Sequence, residues 1–184
     1  RFNFQGEAKR TGLQILWPLE GCSDARRSRQ AEVMNSILNS RLYEKVREDL
    51  GAAYSPSVTF WKSDVDPNDG YLIAYISVKP RQAKRITELM LEIADSFSRE
   101  GATADEFERA IAPILARAAT EQKENGYWLW HVIPRAQTHP EVLQWPLTRL
   151  RDLEAMTVND INALATSVLP ATRAIKFSAV VGPK

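Results

Sequence analysis

The chain has 184 residues, 44% of them hydrophobic, which is enough for one buried core on a scale of roughly 100–200 residues per domain. Its 24 basic and 23 acidic residues leave a formal net charge of +1, so no global field draws in nucleic acid or an anionic lipid surface. The lone cysteine, Cys22, excludes an internal disulfide, and no apolar run of about 18 residues offers a membrane span.

No Gly/Ser/Pro-rich linker divides the sequence, so residues 1–184 read as a single domain. The chain opens on a strand-like stretch, Arg1-Phe2-Asn3-Phe4, and reads as part of a longer polypeptide. Leu13-Gln14-Ile15-Leu16-Trp17 is a strand ended by Pro18. From about 25 to 50 a long helix is predicted, with Met34, Leu38, Leu42 and Val46 at four-residue spacing and Ile37 and Leu50 beside them. Gly51 follows the last apolar residue, where a helix stop favours positive φ. A hairpin comes next, from Tyr54 to Lys62 and from Gly70 to Val78, joined by the turn-forming run Asp64 to Gly70.

Pro80 suits the first turn of a following helix, whose core face is Ile86, Leu89, Met90, Ile93, Ala94 and Phe97 and whose stop is Gly101. Thr103 with Glu106 is a capping-box signature for a further helix, and Pro113 inside it predicts a kink or a break. Tyr127 to Gln137 reads as a short aromatic-rich helix. Residues 140–154 are expected to be helical with Leu143, Leu147, Leu150 and Leu153 inward. Thr157 with Asp160 caps a last helix through Leu169. A closing strand runs from Arg173 to Val181, with Ala174, Phe177, Ala179 and Val181 expected inside. Strand, helix, two strands, several helices and a strand make an α+β domain of two layers, helices on one face of a mixed or antiparallel sheet.

Little in this sequence can do chemistry alone. Zinc needs at least three converging ligands, yet the two histidines, His131 and His139, lie eight residues apart in neither HxxEH nor HExxH spacing. No metal site is expected. Cys22 lies in a loop with no histidine to activate it, and there is no GxSxG, phosphate cradle or GxGxxG. No catalytic residue is expected. Arg26, Arg27 and Arg29, flanked by Asp24 and Glu32, read as a solvated helix start. Tyr127, Trp128 and Trp130 suit core or interdomain packing better than ligand stacking.

Arg47-Glu48-Asp49-Leu50-Gly51-Ala52-Ala53-Tyr54-Ser55 is the informative segment. Arg47 lies about 100° around the helix from Val46, at the edge of the buried stripe and in the last turn, where the helix dipole favours a cation. Gly51 reverses the chain and Tyr54 opens the next strand. A guanidinium and a phenol at such a junction can both donate to peptide carbonyls. The residues by themselves fit a capping cation and a core tyrosine better than a substrate-holding pair.

This segment resembles the Arg…Gly…Tyr junction of the non-catalytic domains of pitrilysin/insulinase-type zinc metallopeptidases. The resemblance continues back through Leu38 to Val46, and forward through Gly101 to Phe107, Glu124 to Leu129 and Met156 to Ile161. It implies a domain without metal that encloses and positions a peptide, with Arg47 and Tyr54 touching substrate while zinc is held in another domain of the parent. The implied partners are peptide substrate and the other parent domains. The Asn125-Gly126-Tyr127-Trp128-Leu129 run is most similar to bacterial, often periplasmic, members. The alternative within the same resemblance is a scaffold, as in a processing peptidase or a respiratory-complex core protein.

Overall fold

A computed structural model describes residues 10–51, 55–63, 66 and 69–179. Its first strand, β1 (Thr11–Pro18), includes Pro18 rather than stopping before it. The proline sits at the strand's last position, where a missing N–H is tolerated. Thr11, Leu13, Ile15 and Trp17 are buried in strict alternation, the period-2 signature of a sheet covered on one face.

Helix α1 (Ala25–Leu50) begins at Asp24, whose side chain accepts the Arg27 N–H at 2.7 Å. The expected stripe is the buried one: Met34, Leu38, Leu42 and Val46 are fully covered, each contributing about 1.5–3 kcal/mol by leaving water. Strands β2 (Ser57–Lys62) and β3 (Gly70–Val78) form the hairpin. The predicted first residue of that hairpin, Tyr54, and most of its turn lie outside the described residues.

Helix α2 (Ala83–Glu100) follows a 3-10 turn at Pro80–Gln82 and buries Ile86, Met90, Ile93, Ala94 and Phe97. Helix α3 (Ala104–Glu121) carries the complete capping box of Thr103 and Glu106. It runs through Pro113 without the expected break. The aromatic segment is not one plain helix: a turn of α4 (Asn125–Tyr127), a π turn (Trp128–Val132) and a turn of α5 (Ile133–Ala136) succeed one another. After a 3-10 turn at Pro140–Leu143 come α6 (Trp145–Glu154) and α7 (Val158–Val168), the latter with its Thr157/Asp160 box formed. Only half of the predicted apolar set of 140–154 packs inward. Leu153 is buried and Leu150 is partly buried against the core, whereas Leu143 and Leu147 are exposed. The change from 3-10 turn to α-helix at Gln144 breaks the single helical period on which that set depended.

The sheet is four-stranded and antiparallel in the order β2-β3-β1-β4, with β4 (Ile175–Ala179) pairing β1. All helices that touch the strands lie on one side, where Leu13 meets Ile76 and Ile15 meets Ala74 across the β1–β3 register. The architecture is α+β, as expected. The predicted interior of the last strand is not observed. Phe177 pairs with Gln14 and Ile175 with Leu16, so both point to the face away from the helices, and Phe177 is 55% exposed. Ala179 is exposed as well, Ala174 is partly buried, and Val181 lies outside the described residues. Register sets the direction of these side chains, and the edge position of β4, with β1 on one side only, leaves even the residues of its other face exposed. Among the described residues, no helix is long and apolar enough to cross a membrane.

Candidate functional site

Arg47 sits in the last turn of α1, one residue past the buried Val46, and its side chain is exposed. Tyr43 precedes it by four residues and therefore shares its helix face. The Arg47 guanidinium carbon lies 4.5 Å from the centroid of the Tyr43 ring. Such a cation–π contact contributes about 0.5–1 kcal/mol at an exposed site, and it steadies the guanidinium without using its N–H donors. The nearby acids are engaged elsewhere: Glu48 takes Lys45 at 2.9 Å and Asp49 takes Arg85 of α2. Among the described residues, no carboxylate pairs with Arg47, so its fork of donors is available to a ligand.

The helix ends here because Gly51 has φ +87° and ψ 171°, a combination that essentially only glycine adopts. Its N–H closes the last turn onto the Arg47 carbonyl at 2.9 Å. On the far side of the junction, the Asn39 side-chain oxygen accepts the Val58 N–H at 2.9 Å, fastening the start of β2 to the middle of α1. The Asp49–Arg85 pair fastens the end of α1 to α2. These contacts hold the last turn of α1, which carries Arg47, against α2, and the start of β2 against α1. The second predicted member of the site, Tyr54, lies outside the described residues, so only Arg47 is placed.

Below this turn, Arg41 and Glu106 join α1 to α3. Arg41 Nε and Nη2 donate to the two Glu106 oxygens at 2.7 and 2.8 Å, and Nη2 also donates to the Gly101 carbonyl at 2.7 Å. The Arg41 guanidinium lies 4.6 Å from the Phe97 ring centroid. The hydrogen bonds from Arg41 hold the Glu106 carboxyl down to about 2, since bidentate ionic pairing favours the charged form.

Arg29 departs from the sequence reading. It is 3% exposed rather than solvated, bonded to Asp152, to the Trp145 carbonyl at 2.7 Å and to Thr148 Oγ1 at 3.1 Å. A buried guanidinium survives only when so compensated, and its partners lie on α6, too far along the chain for a local pattern to show. Among the described residues, no three His, Cys, Asp or Glu side chains are placed to hold a metal. His131 is exposed, with its ring centroid 5.9 Å from that of Tyr127, while His139 Nδ1 lies 3.4 Å from Glu141. The described residues do not fit a zinc centre.

A family model shows the family, and solved structures show the fold. A family model described as the peptidase M16 inactive domain matches residues 2–114. A stromal processing peptidase of the pea chloroplast (Pisum sativum) is 28% identical over 132 residues, covering 70% of this chain and 10% of that protein. Many solved structures share the fold, two bacterial ones among them. An M16 inactive domain from Pseudomonas fluorescens superposes with a TM-score of 0.72 at 16% identity, covering 99% of this chain and 44% of the other. The periplasmic protease PqqL of Escherichia coli superposes with a TM-score of 0.76 at 15% identity, covering 96% and 20% respectively. The chain thus spans a tenth of the pea enzyme and less than half of either structure.

Proposed function

This chain belongs to the peptidase M16 inactive-domain family, and from that premise we propose that it is one domain of a longer zinc peptidase, in which it encloses and positions a peptide. Hydrolysis belongs to a zinc centre in another domain of the parent. Arg47 and Tyr54 are the substrate-holding pair, donating to peptide carbonyl oxygens without dependence on side-chain identity. The supporting observation is Arg47 itself: exposed, steadied on Tyr43, with no carboxylate paired to it among the described residues, in a last helical turn tied to α2. The likeness to PqqL favours a periplasmic parent.

The test is Arg47→Ala and Tyr54→Phe in the full-length parent. Loss of a donor that serves the developing oxyanion lowers kcat by about 10²–10³-fold, with zinc content and melting temperature unchanged. Arg47→Lys restores charge without the planar fork and recovers only part of the rate. Turnover at the wild-type rate in both Arg47→Ala and Tyr54→Phe rejects the substrate role and leaves a scaffold.

A further inference from the structure

At the opposite end of α1 from Arg47, about 27 Å along the axis at 1.5 Å per residue, lies a cavity of about 600 Å³. It opens between the first turns of α1, the end of α3, the π turn and α6. This volume falls in the range of about 300–1,000 Å³ usual for ligand sites. Its floor is a ring of ions from three helices. Glu32 accepts from Arg149 Nη2 at 3.0 and 2.9 Å and also takes Arg117. Glu121 Oε1 faces Arg149 Nε at 2.5 Å, and its other oxygen lies 3.7 Å from Arg117 Nε.

Both oxygens of Glu32 accept from guanidinium groups, and both of Glu121 lie within ion-pair distance of one, although Glu121 Oε1 and Arg149 Nε make no hydrogen bond. Arg149 Nη1 and Arg117 Nη1 have no acceptor among the described residues. The Arg117 side chain is 60% exposed, so its free edge meets solvent, and the group that pairs best with two guanidinium edges is a carboxylate. One wall is apolar and open. Trp130, 78% exposed, stands on the π turn, a helical irregularity that recurs at functional sites. Tyr127 lies beside it, and Trp145 closes the far side with Lys62 Nζ 3.9 Å from its ring centroid.

We propose that this cavity is a second polypeptide site, taking a carboxylate on Arg117 and Arg149 and an adjacent bulky apolar side chain against Trp130. The carboxylate is that of a chain terminus or of an acidic side chain. The site shares no residue with the Arg47 junction and stands whether or not that junction touches substrate. It would hold a peptide at a distance from the cleavage point and favour those with an acidic group beside an aromatic one.

The 184-residue chain itself is the reagent, titrated with three short Ser/Ala peptides while the tryptophan indole ¹⁵N–¹H signals are followed. One ends in Phe with a free carboxylate, one ends in amidated Phe, and one has Glu before an amidated Phe. The Trp130 and Trp145 indoles shift with an acid-bearing peptide, and the neutral amide binds about tenfold or more weakly, the scale of one lost charged contact. Response to the first peptide alone identifies a chain terminus, to the third alone a side chain, and to both any carboxylate. Arg117→Gln and Trp130→Ala, both at exposed positions and so compatible with folding, each weaken binding at least about fivefold. The proposal is overturned if no indole moves with any peptide, if the neutral amide binds as tightly as the acids, or if either variant binds like the wild type.

Discussion

Replacing Gly51 by alanine isolates the backbone term that shapes the Arg47 junction. A Cβ at Gly51 meets nothing within 4 Å, so the change introduces no clash, and its whole cost is the φ +87°, ψ 171° backbone. Such a conformation costs a non-glycine residue about 1–3 kcal/mol. Stiffening of the unfolded chain returns an effect of about 0.4–1 kcal/mol, though only for sites whose backbone tolerates alanine, so a net loss of roughly 1–2 kcal/mol is expected here. Gly101 supplies the contrast. Its φ of +77° and ψ of −174° are similar, but a Cβ there would lie 2.6 Å from Asn162 Nδ2 and 2.7 Å from its Cγ. Asn162 Oδ1 accepts the Ala102 N–H at 2.7 Å. Moving Asn162 aside therefore adds an unmade hydrogen bond of about 1–3 kcal/mol to the same torsional cost. Urea unfolding followed by tryptophan fluorescence, at unchanged slope, should rank wild type above Gly51→Ala above Gly101→Ala. A Gly51→Ala chain as stable as the wild type, or no more stable than Gly101→Ala, would refute the reasoning.

The Arg41–Glu106 pair gives a pH-dependent expectation. Arg41 holds the Glu106 carboxyl below its ordinary value of 4.5, at about 2. The stabilisation is therefore fully present above about pH 4.5 and lost as the pH falls towards 2. With the Glu106 side chain 22% exposed, it amounts to roughly 2–3 kcal/mol. Glu106→Gln should lower stability by that order at neutral pH, and the gap from the wild type should close between about pH 4.5 and 2; a gap independent of pH contradicts the assignment. Burial pushes the Cys22 thiol up to about 11, and its sulfur donates to the Leu19 carbonyl at 3.1 Å. A thiol-specific disulfide reagent near pH 8 should leave the folded chain unmodified and label it once denatured; rapid labelling of the folded chain would show an accessible thiolate instead.

Local features were legible from the residues because they are written within one or two helical turns. The stripe from Met34 to Val46, the capping boxes at Thr103 and Thr157, and the positive-φ stops at Gly51 and Gly101 each depend on neighbours three or four residues apart. Arg47 was legible for the same reason, as the cation in the last turn before a glycine. Leu143, Leu147 and Phe177 were misread as interior because hydrophobicity reports what a residue would gain by burial, while the available cover depends on which elements lie above it. A helix that restarts at Trp145 and a strand at the sheet edge leave all three without cover.

By itself, then, the amino-acid order determined the long helices α1, α2, α3 and α7 with their caps or stops, the alternation of β1 and β3, and the family to which the junction belongs. Tertiary structure alone decided that Arg29 is buried on α6, 116 residues from the carbonyl it reaches. It alone brought Glu32, Arg117, Glu121 and Arg149 into one ring under a tryptophan. Charge pairing of this kind depends on distance in space, which falls to a hydrogen-bond length only after the helices have packed, and no spacing along the chain encodes it.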